Sequence, residues 1–411
     1  MRATTLLRKL SRLYAQHTVV TGFEFTSNGR ALVVDVRPTT RAPCCGSCLQ
    51  RCAHGYDHRE RLWRHTDLGE TKVHLRYAIA RVDCERCGPT TELVPWAAHA
   101  AWHTYDFENL VAYKAQGSDR SRVAKDMRVN WETVGNIVTR VVDRLRAAGD
   151  DLLDDLRNIG LDELSYRKGH NYISIVVDHD RECIVWAGEG RTGETVGAFF
   201  EKLGPERAAQ LEHVSIDMSA AYEAAVRKYA PNAEIVFDRF HVQQLAHHAL
   251  DEVRREVVRE LKGTAEGKAI KGLRWPLQRN EVNHTPKDQE RISTVMQTNA
   301  PLFRAYMLKT MLVWVLSTST IRGARRKLES WIAWAVRSQL KPFVRVGKTI
   351  RRHLEGILAY IRTGISNGRS EGMNRKARVI TSRAFGFHSA TPLIASLFLC
   401  CSGLKLEPRH A

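Results

Sequence analysis

The sequence has no apolar run of about 18 residues, the length a helix needs to cross a bilayer. Residues Met1 to Leu10 contain no long apolar stretch ending in a small-residue cleavage site, so no export signal is expected. Internal repeats and low-complexity tracts are also missing, which sets aside solenoid and fibrous architectures. Acidic residues are in short supply: 45 Asp and Glu face 63 Lys and Arg, a net charge of +18. An imbalance of that size argues for a polyanionic partner, of which nucleic acid is the usual one. The shortage is sharpest from Arg345 to Arg383, where ten Lys or Arg accompany only two acids, Glu355 and Glu371. Cysteines number nine, an odd count. Four of them form two C-x-x-C pairs, which in a chain without an export signal read as metal ligands, not disulfides.

At 411 residues the chain is too long for one ordinary domain, and two to four are expected. A helix-like opening segment and the strand Ala31–Val36 lead to the first cysteines. Cys45 and Cys48, with Cys84 and Cys87, can supply the four thiolates of a tetrahedral zinc site, with Lys72–Ala80 alternating as a strand between them. Cys44, Cys52, His54 and His58 are alternative ligands. From Pro95 to Leu145 the pattern is helical. Arg122–Val134 has the layout of a helix-turn-helix: Ala124 sits at the close approach, Val129 and Val134 fill the small core, and Asn130 caps the second helix. Arg128 stands at the turn position where glycine is common. This reading turns Trp131, Thr133 and Arg140 towards the major groove; a generic helical hairpin is the alternative.

Near Asn158 the pattern changes to strand, strand, strand, helix, strand, helix, strand, ending at Asp238, an order that fits an α/β core of the ribonuclease-H type. Phe240 to Arg362 is almost wholly helix-forming, with Trp275, Trp314, Trp331 and Trp334 expected as core anchors and base-stacking platforms the alternative. The resulting divisions are 1–94, a zinc ribbon-like module; 95–150, the helix-turn-helix; 151–240, the first part of the α/β core; 241–362, an all-helical insertion; and 363–411, the final core helix and tail.

Phosphodiester cleavage with two metal ions needs a few carboxylates converging from separate elements. Asp162 lies in the first strand, Asp217 ends the fourth, and Glu371 follows Asn367, a plausible N-cap, in a first helical turn. Glu371 could equally pair with Arg375 one turn on. Glu163 is a rival to Asp162 should the strand register slip, and alternation sends the two to opposite faces. Asp178 reads as a turn residue. Asp238 and His241 read as supporting or DNA-positioning groups, or as a plain strand end and helix histidine. Arg167, Lys168, Arg369, Arg375, Lys376, Arg378 and Arg383 flank the acids and suit phosphate contacts.

Four blocks carry a family resemblance. They are Gly160-Leu161-Asp162-Glu163 with Tyr166–Tyr172; Ile216-Asp217-Met218-Ser219 with Tyr222; Phe237–Val242; and Asn367 to Lys376 around Glu371, with Arg383–Phe387. Together with the cysteine pairs and the helix-turn-helix, they make the chain resemble bacterial DDE insertion-sequence transposases of the ISL3 family. The resemblance implies a ribonuclease-H-like core with a helical insertion and Asp162, Asp217 and Glu371 as a triad for Mg²⁺ or Mn²⁺, beside structural Zn²⁺. It also implies strand cleavage at transposon ends and attack by the freed 3′-hydroxyl on another phosphodiester. The implied partners are terminal inverted repeats, target DNA and a second copy of the chain, with no membrane and a cytoplasmic, nucleoid-associated location. A DNA-binding regulator with an inactive nuclease-like body, or a repair nuclease of the same fold, would share most of these features.

Overall fold

The computed structural model describes residues 17–40, 42–167, 169, 171–318, 320–365, 367–383 and 387–406, with backbone alone for 367–371, 374 and 383. The expected opening helix lies outside the described residues. The chain divides into two compact units: one runs to Gly149 and takes in Thr391–Cys400, and the other holds Asp150–Ala390 with Cys401–Gly403. Among the described residues no helix is long and apolar enough to cross a membrane.

The first unit opens with a five-stranded sheet: β1 (Thr18–Phe25), β2 (Ala31–Pro38), β3 (Gly55–Leu68), β4 (Thr71–Cys84) and β5 (Gly88–Thr91). The order is β1-β2-β4-β3, with β5 also on β4, and only the β2–β4 pair is parallel. Strand alternation buries Leu32, Val34, Val36, Val73 and Leu75, which pack with Trp63 and Trp96. The two indoles meet edge to face, 5.6 Å between centroids. The segment after Pro95 is not helical at once. Helix α1 (Tyr105–Gly117) begins only after Thr104, whose hydroxyl accepts from the Phe107 amide at 3.3 Å. Helices α2 (Arg120–Met127) and α3 (Trp131–Ala148) follow. The last helix, Ala390–Cys401, lies mostly in this unit: Arg120 donates to the Pro392 carbonyl, and Gln116 to that of Leu399.

The second unit is built on β6 (Asn158–Arg167), β7 (Asn171–Asp178), β8 (Cys183–Glu189), β9 (His213–Ile216) and β10 (Glu234–Phe237). The order is β10-β9-β6-β7-β8. β6, β7 and β8 form an antiparallel meander, while β9 and β10 run parallel to β6. The parallel strands are joined by crossovers through α4 (Gly193–Leu203) with the short α5 (Pro205–Ala208), and through α6 (Ala220–Tyr229). Ile159, Leu161, Val176, Val185, Val214, Ile216 and Phe237 carry the sheet into a single apolar core.

That core continues into α7 (Arg239–Glu260), α8 (Ala265–Lys271), α9 (Arg274–Gln278), α10 (Pro286–Thr298), α11 (Ala300–Val315), α12 (Ile321–Arg337), α13 (Lys341–Arg352) and α14 (Leu354–Thr363). Pro286, Pro301 and Pro342 open helices, where the missing N–H costs nothing. Trp331 is buried and Trp334 packs on the core, but Trp275 and Trp314 are exposed, contrary to the sequence expectation. Each exposed indole has a cation over its face: Arg274 at 4.9 Å over Trp275, and Lys327 at 4.0 Å over Trp314. Finally α15 (Asn367–Arg383) returns to pack against β6. This helix begins at Asn367 itself, so Glu371 lies just beyond the first turn and not inside it.

Candidate active site and DNA-binding elements

Asp217 and Asp238 directly follow the last residues of β9 and β10, and Asp162 lies in the middle of β6, two residues past its last pairing with β9. β6 pairs with β9 through Asn158–His213, Ile159–Val214 and Gly160–Ser215. β10 pairs with β9 up to Phe237–Ile216, and the Asp238 amide still donates to the Ile216 carbonyl at 3.3 Å. Counting on along each strand brings Asp162, Asp217 and Asp238 level on three neighbouring strands, which lie ~4.8 Å apart while paired. The Asp217 carboxylate accepts from the Ser219 amide at 2.9 Å, which turns the chain into α6. The Asp162 carboxylate accepts from the Glu163 amide at 2.7 Å. Backbone amides thus orient both groups.

Gly160 explains itself here. A methyl group at this position would meet His179 Nε2 at 2.9 Å and Ser215 Oγ at 3.0 Å, two atoms that are hydrogen-bonded to each other at 2.7 Å. Only glycine lets that pair close over the strand that carries Asp162.

The electrostatics record the crowding. Burial raises the Glu163 carboxyl above its ordinary value, Asp217 and Asp162 add to the rise, and Arg191 opposes it. Glu163 Oε2 is sealed from solvent without a hydrogen bond, with Arg191 3.7 Å away. Burial also pushes Tyr222 up to about 12, and Glu163, Asp217 and Asp162 contribute. The Tyr222 hydroxyl lies 2.7 Å from Ser174, the residue paired with Glu163 across β6 and β7. Asp238 is buried and raised by burial, with Asp162 adding and His241 opposing; His241 Nε2 is 3.9 Å from its carboxylate. Glu163 and Asp238, raised first by burial and then by the neighbouring acids, mark a set of hard oxygens short of positive charge, as a divalent-cation site requires. Glu163 thus joins the cluster even though it leaves β6 on the side opposite Asp162. From the sequence it was a rival to Asp162 only through a slip of register, and β6 pairs with β7 through both residues without one.

Glu371 contributes its backbone position: it lies in α15, the helix against β6, while its side chain is outside what is described, as are those of Arg369 and Arg383 and the whole of Lys168. On α15, Met373 and Ala377 are buried one turn apart, and Arg375, Lys376 and Arg378 are exposed. Arg167 is exposed at the end of β6. Asp178 is a turn former, accepting from the amides of Asp180 and Arg181 and pairing with the Arg181 guanidinium.

In the first unit the sulfurs of Cys45, Cys48, Cys84 and Cys87 lie within 4.8 Å of one another. Two tight turns bring them there. Gly46 packs so closely that an added methyl would meet His99 Nδ1 at 2.5 Å and the Thr91 carbonyl at 2.8 Å. Gly88, at φ +69°, closes the hairpin between β4 and β5 in the left-handed conformation that glycine adopts most cheaply. Backbone amides, that of Cys48 foremost, hold the Cys45 thiol down to about 6, while its contact with Cys48 pushes Cys87 up to about 12. Four sulfurs this close cannot all ionise without a cation among them, and four-thiolate coordination is a donor set that zinc takes. Cys45, not Cys44, is the member of the doublet in the cluster; Cys52 instead donates to the Gln50 carbonyl at 3.7 Å.

Helices α2 and α3 meet at a turn in which Arg128 adopts φ +55°, the left-handed conformation that makes glycine common at this position. Its guanidinium binds Asp67 and the Glu70 carbonyl. Val123, Ala124, Met127, Val134 and Ile137 are buried between the helices, and Val129 is half-buried. Asn130 occupies the N-cap but makes no capping hydrogen bond. Trp131 and Thr133 are half-buried, with Arg120 5.2 Å over the Trp131 ring. Arg140 turns inward: it donates to Glu108 Oε1 at 2.6 Å, and Arg144 reaches Glu108 Oε2 at 3.2 Å.

These two assemblies, a helix-turn-helix and an acid-lined mixed sheet with a helical extension, belong to a DNA-processing enzyme, and comparison with known proteins gives its class. A model described as the helix-turn-helix domain of transposase family ISL3 matches residues 92–142, and the ISL3 DDE model, described as transposase, matches residues 159–397. The chain belongs to the ISL3 family of DDE transposases, enzymes that cleave DNA and transfer its strands. It is 36% identical to the transposase for insertion sequence element IS1557 of Mycobacterium tuberculosis, over all of this chain and 98% of the relative. It is 31% identical to the transposase for insertion sequence element IS1001 of Bordetella parapertussis, over 87% of this chain and 89% of that relative. The DDE domain implies the use of divalent metal, the helix-turn-helix implies DNA binding, and the cysteine cluster is compatible with a zinc module. An inert nuclease-like body is not favoured.

Proposed function

We propose that the enzyme nicks DNA at the ends of its own element and joins the freed 3′-hydroxyls to target DNA, using Asp162, Asp217 and Glu371 to hold Mg²⁺ or Mn²⁺. The observation that carries this reading is the level placement of Asp162 and Asp217 on adjacent parallel strands, with the helix of Glu371 packed against the first of them. Bound between these acids, divalent cations supply Lewis acidity to the attacking oxygen and neutralise charge on the phosphate. The side chains do the rest. Asp162 and Asp217, held by backbone amides, present oxygens in fixed directions. Exposed Arg167, Arg375, Lys376 and Arg378 grip the DNA backbone. Water attacks the scissile phosphorus and the 3′-oxygen departs. That 3′-hydroxyl then attacks a second phosphodiester, and no bond to the protein forms.

The same reading makes the second unit a ribonuclease-H-like core. Its support is the strand order, in which an antiparallel three-strand meander is extended from its first strand by two parallel strands, and residues 241–362 are an insertion between the second aspartate and the glutamate. Cys45, Cys48, Cys84 and Cys87 hold structural Zn²⁺; the helix-turn-helix reads the terminal repeats, and joining two ends calls for at least two copies of the chain on DNA. Asp238 and His241 buttress the acids, and the enzyme works in the cytoplasm. The test is Asp217→Asn with Mg²⁺ and DNA from both flanks of the element. Cleavage is expected to fall at least ~1000-fold, about 4 kcal/mol of barrier, while binding stays within about twofold. Cleavage near the wild-type rate removes Asp217 from the site.

A further inference from the structure

A cleft of about 300 Å³ lies between α7 and α9, starting at the strand end that carries Asp238. One face of α7 lines it, with residues spaced one helical turn apart: Phe240, Gln243, Gln244 and His247. Arg274 and Gln278 form the facing wall. Phe240 is 61% exposed, although it sits beside the buried core residue Val242. Gln243, Gln244 and Gln278 make no side-chain hydrogen bond to any described residue, so three amides offer both donors and acceptors to the same space. His247 Nε2 is sealed from solvent without a partner, and burial holds this imidazole down to about 4, so it is neutral. At the far end Asp251 is already held by Arg254 at 2.7 Å and Arg255 at 3.2 Å, with Arg274 a looser partner at 3.9 Å, so the cleft has no unpaired acid.

An exposed aromatic face, solvent-accessible amides and a nearby guanidinium are the complement of one heteroaromatic base on a phosphate backbone. We propose that this cleft receives an unstacked nucleobase of the DNA strand held at the acids, with Phe240 stacking on the base and the glutamine amides engaging its hydrogen-bonding edge. The position supports it. Phe240 is two residues from Asp238, and its ring is 5.8 Å from that of His241, so the mouth of the cleft adjoins the acid row. A strand laid across the acids brings its next nucleotides past α7. Extruding one base would unstack the duplex where it is cut and give the enzyme a base-specific contact separate from the helix-turn-helix. This inference rests on the cleavage site proposed above.

The experiment uses the full chain and end DNA carrying 2-aminopurine, a base whose fluorescence rises on unstacking, at each position next to the scissile phosphate in turn. One position is expected to brighten on binding. Phe240→Ala should abolish that signal and slow cleavage about tenfold, the loss of one base–aromatic stack. An abasic nucleotide at the same position should restore the rate of Phe240→Ala by removing the cost of extrusion. No brightening at any position, or Phe240→Ala cleaving like wild type, overturns the proposal. A fold defect in Phe240→Ala is separated by Gln244→Ala, an exposed position: it should keep the signal at every base yet lose preference among bases at the bright one, and unchanged preference also counts against the cleft. Asp217→Asn distinguishes this from the cleavage reading. It should brighten without cutting; a variant that cuts sinks the acid site alone, and a silent probe on a wild type that cuts sinks the cleft alone.

Discussion

At the scale of single residues, Glu108 is a tightly held carboxylate outside the acid row. It is fully buried and serves both Arg140 and Arg144 from a neighbouring helix. Removing one partner of such an ion pair leaves the others desolvated and unpaired. Glu108→Gln should cost about 2 kcal/mol, discounted because both arginines are about one-third exposed, and a thermal melt would read it as a drop in midpoint of several degrees. A melt unchanged within about a degree would mean the arginines find water instead. Gly160→Ala tests a different constraint. The added methyl must displace the hydrogen-bonded His179–Ser215 pair, an overpacking cost of ~1–3 kcal/mol measurable by denaturant titration. Some of this was legible from sequence. Asp162, Asp217 and Glu371 stood out by motif and by scarcity in a basic chain. The partner of Arg140 was not legible, because only the fold brings Glu108, 32 positions earlier, beneath a side chain whose sequence position fits a groove-facing residue.

At the scale of elements, periodicity carried the strands, and punctuation carried the helices. Strand alternation gave β4, β6 and β7, and within the helix-forming stretch Pro286, Pro301 and Pro342 each stand at the start of a helix. Two exposed tryptophans escaped because the sequence of an amphipathic helix does not say which side its neighbours will cover. The two cysteine turns are the element with the clearest outcome. Cys84→Ser removes one sulfur from a cluster whose members lie within 4.8 Å. It should release about one zinc per chain by metal analysis and make the β4–β5 hairpin protease-sensitive. A strong chelator applied to the wild type should give the same result, and zinc content unchanged by the substitution would refute the cluster as a zinc site.

For the whole molecule the governing quantity is charge. With +18 net, binding to any DNA should weaken steeply with salt. If Arg375 and Lys376 each hold one phosphate, changing both to alanine should flatten the slope of log K against log salt by about 1.8, equally for specific and random DNA. A slope that stays put would assign those cations to solvent. Sequence gave the sign and size of this field at once. It did not give the arrangement of the acids within it, which depends on strand register, a property of pairing and not of any one stretch.

One feature of connectivity reaches beyond equilibrium. The strand of Asp162 and the helix of Glu371 touch, yet about two hundred residues of chain separate them. A ribosome adding ~5–20 residues per second needs roughly ten to forty seconds to cover that distance. Throughout that interval the nascent protein already carries its helix-turn-helix but not the helix that closes against the sheet. A copy whose translation stops inside the helical stretch would therefore lack both the helix of Glu371 and Ala390–Cys401, the helix on which Gln116 and Arg120 of the first unit close, so neither unit is finished until the last residues are made.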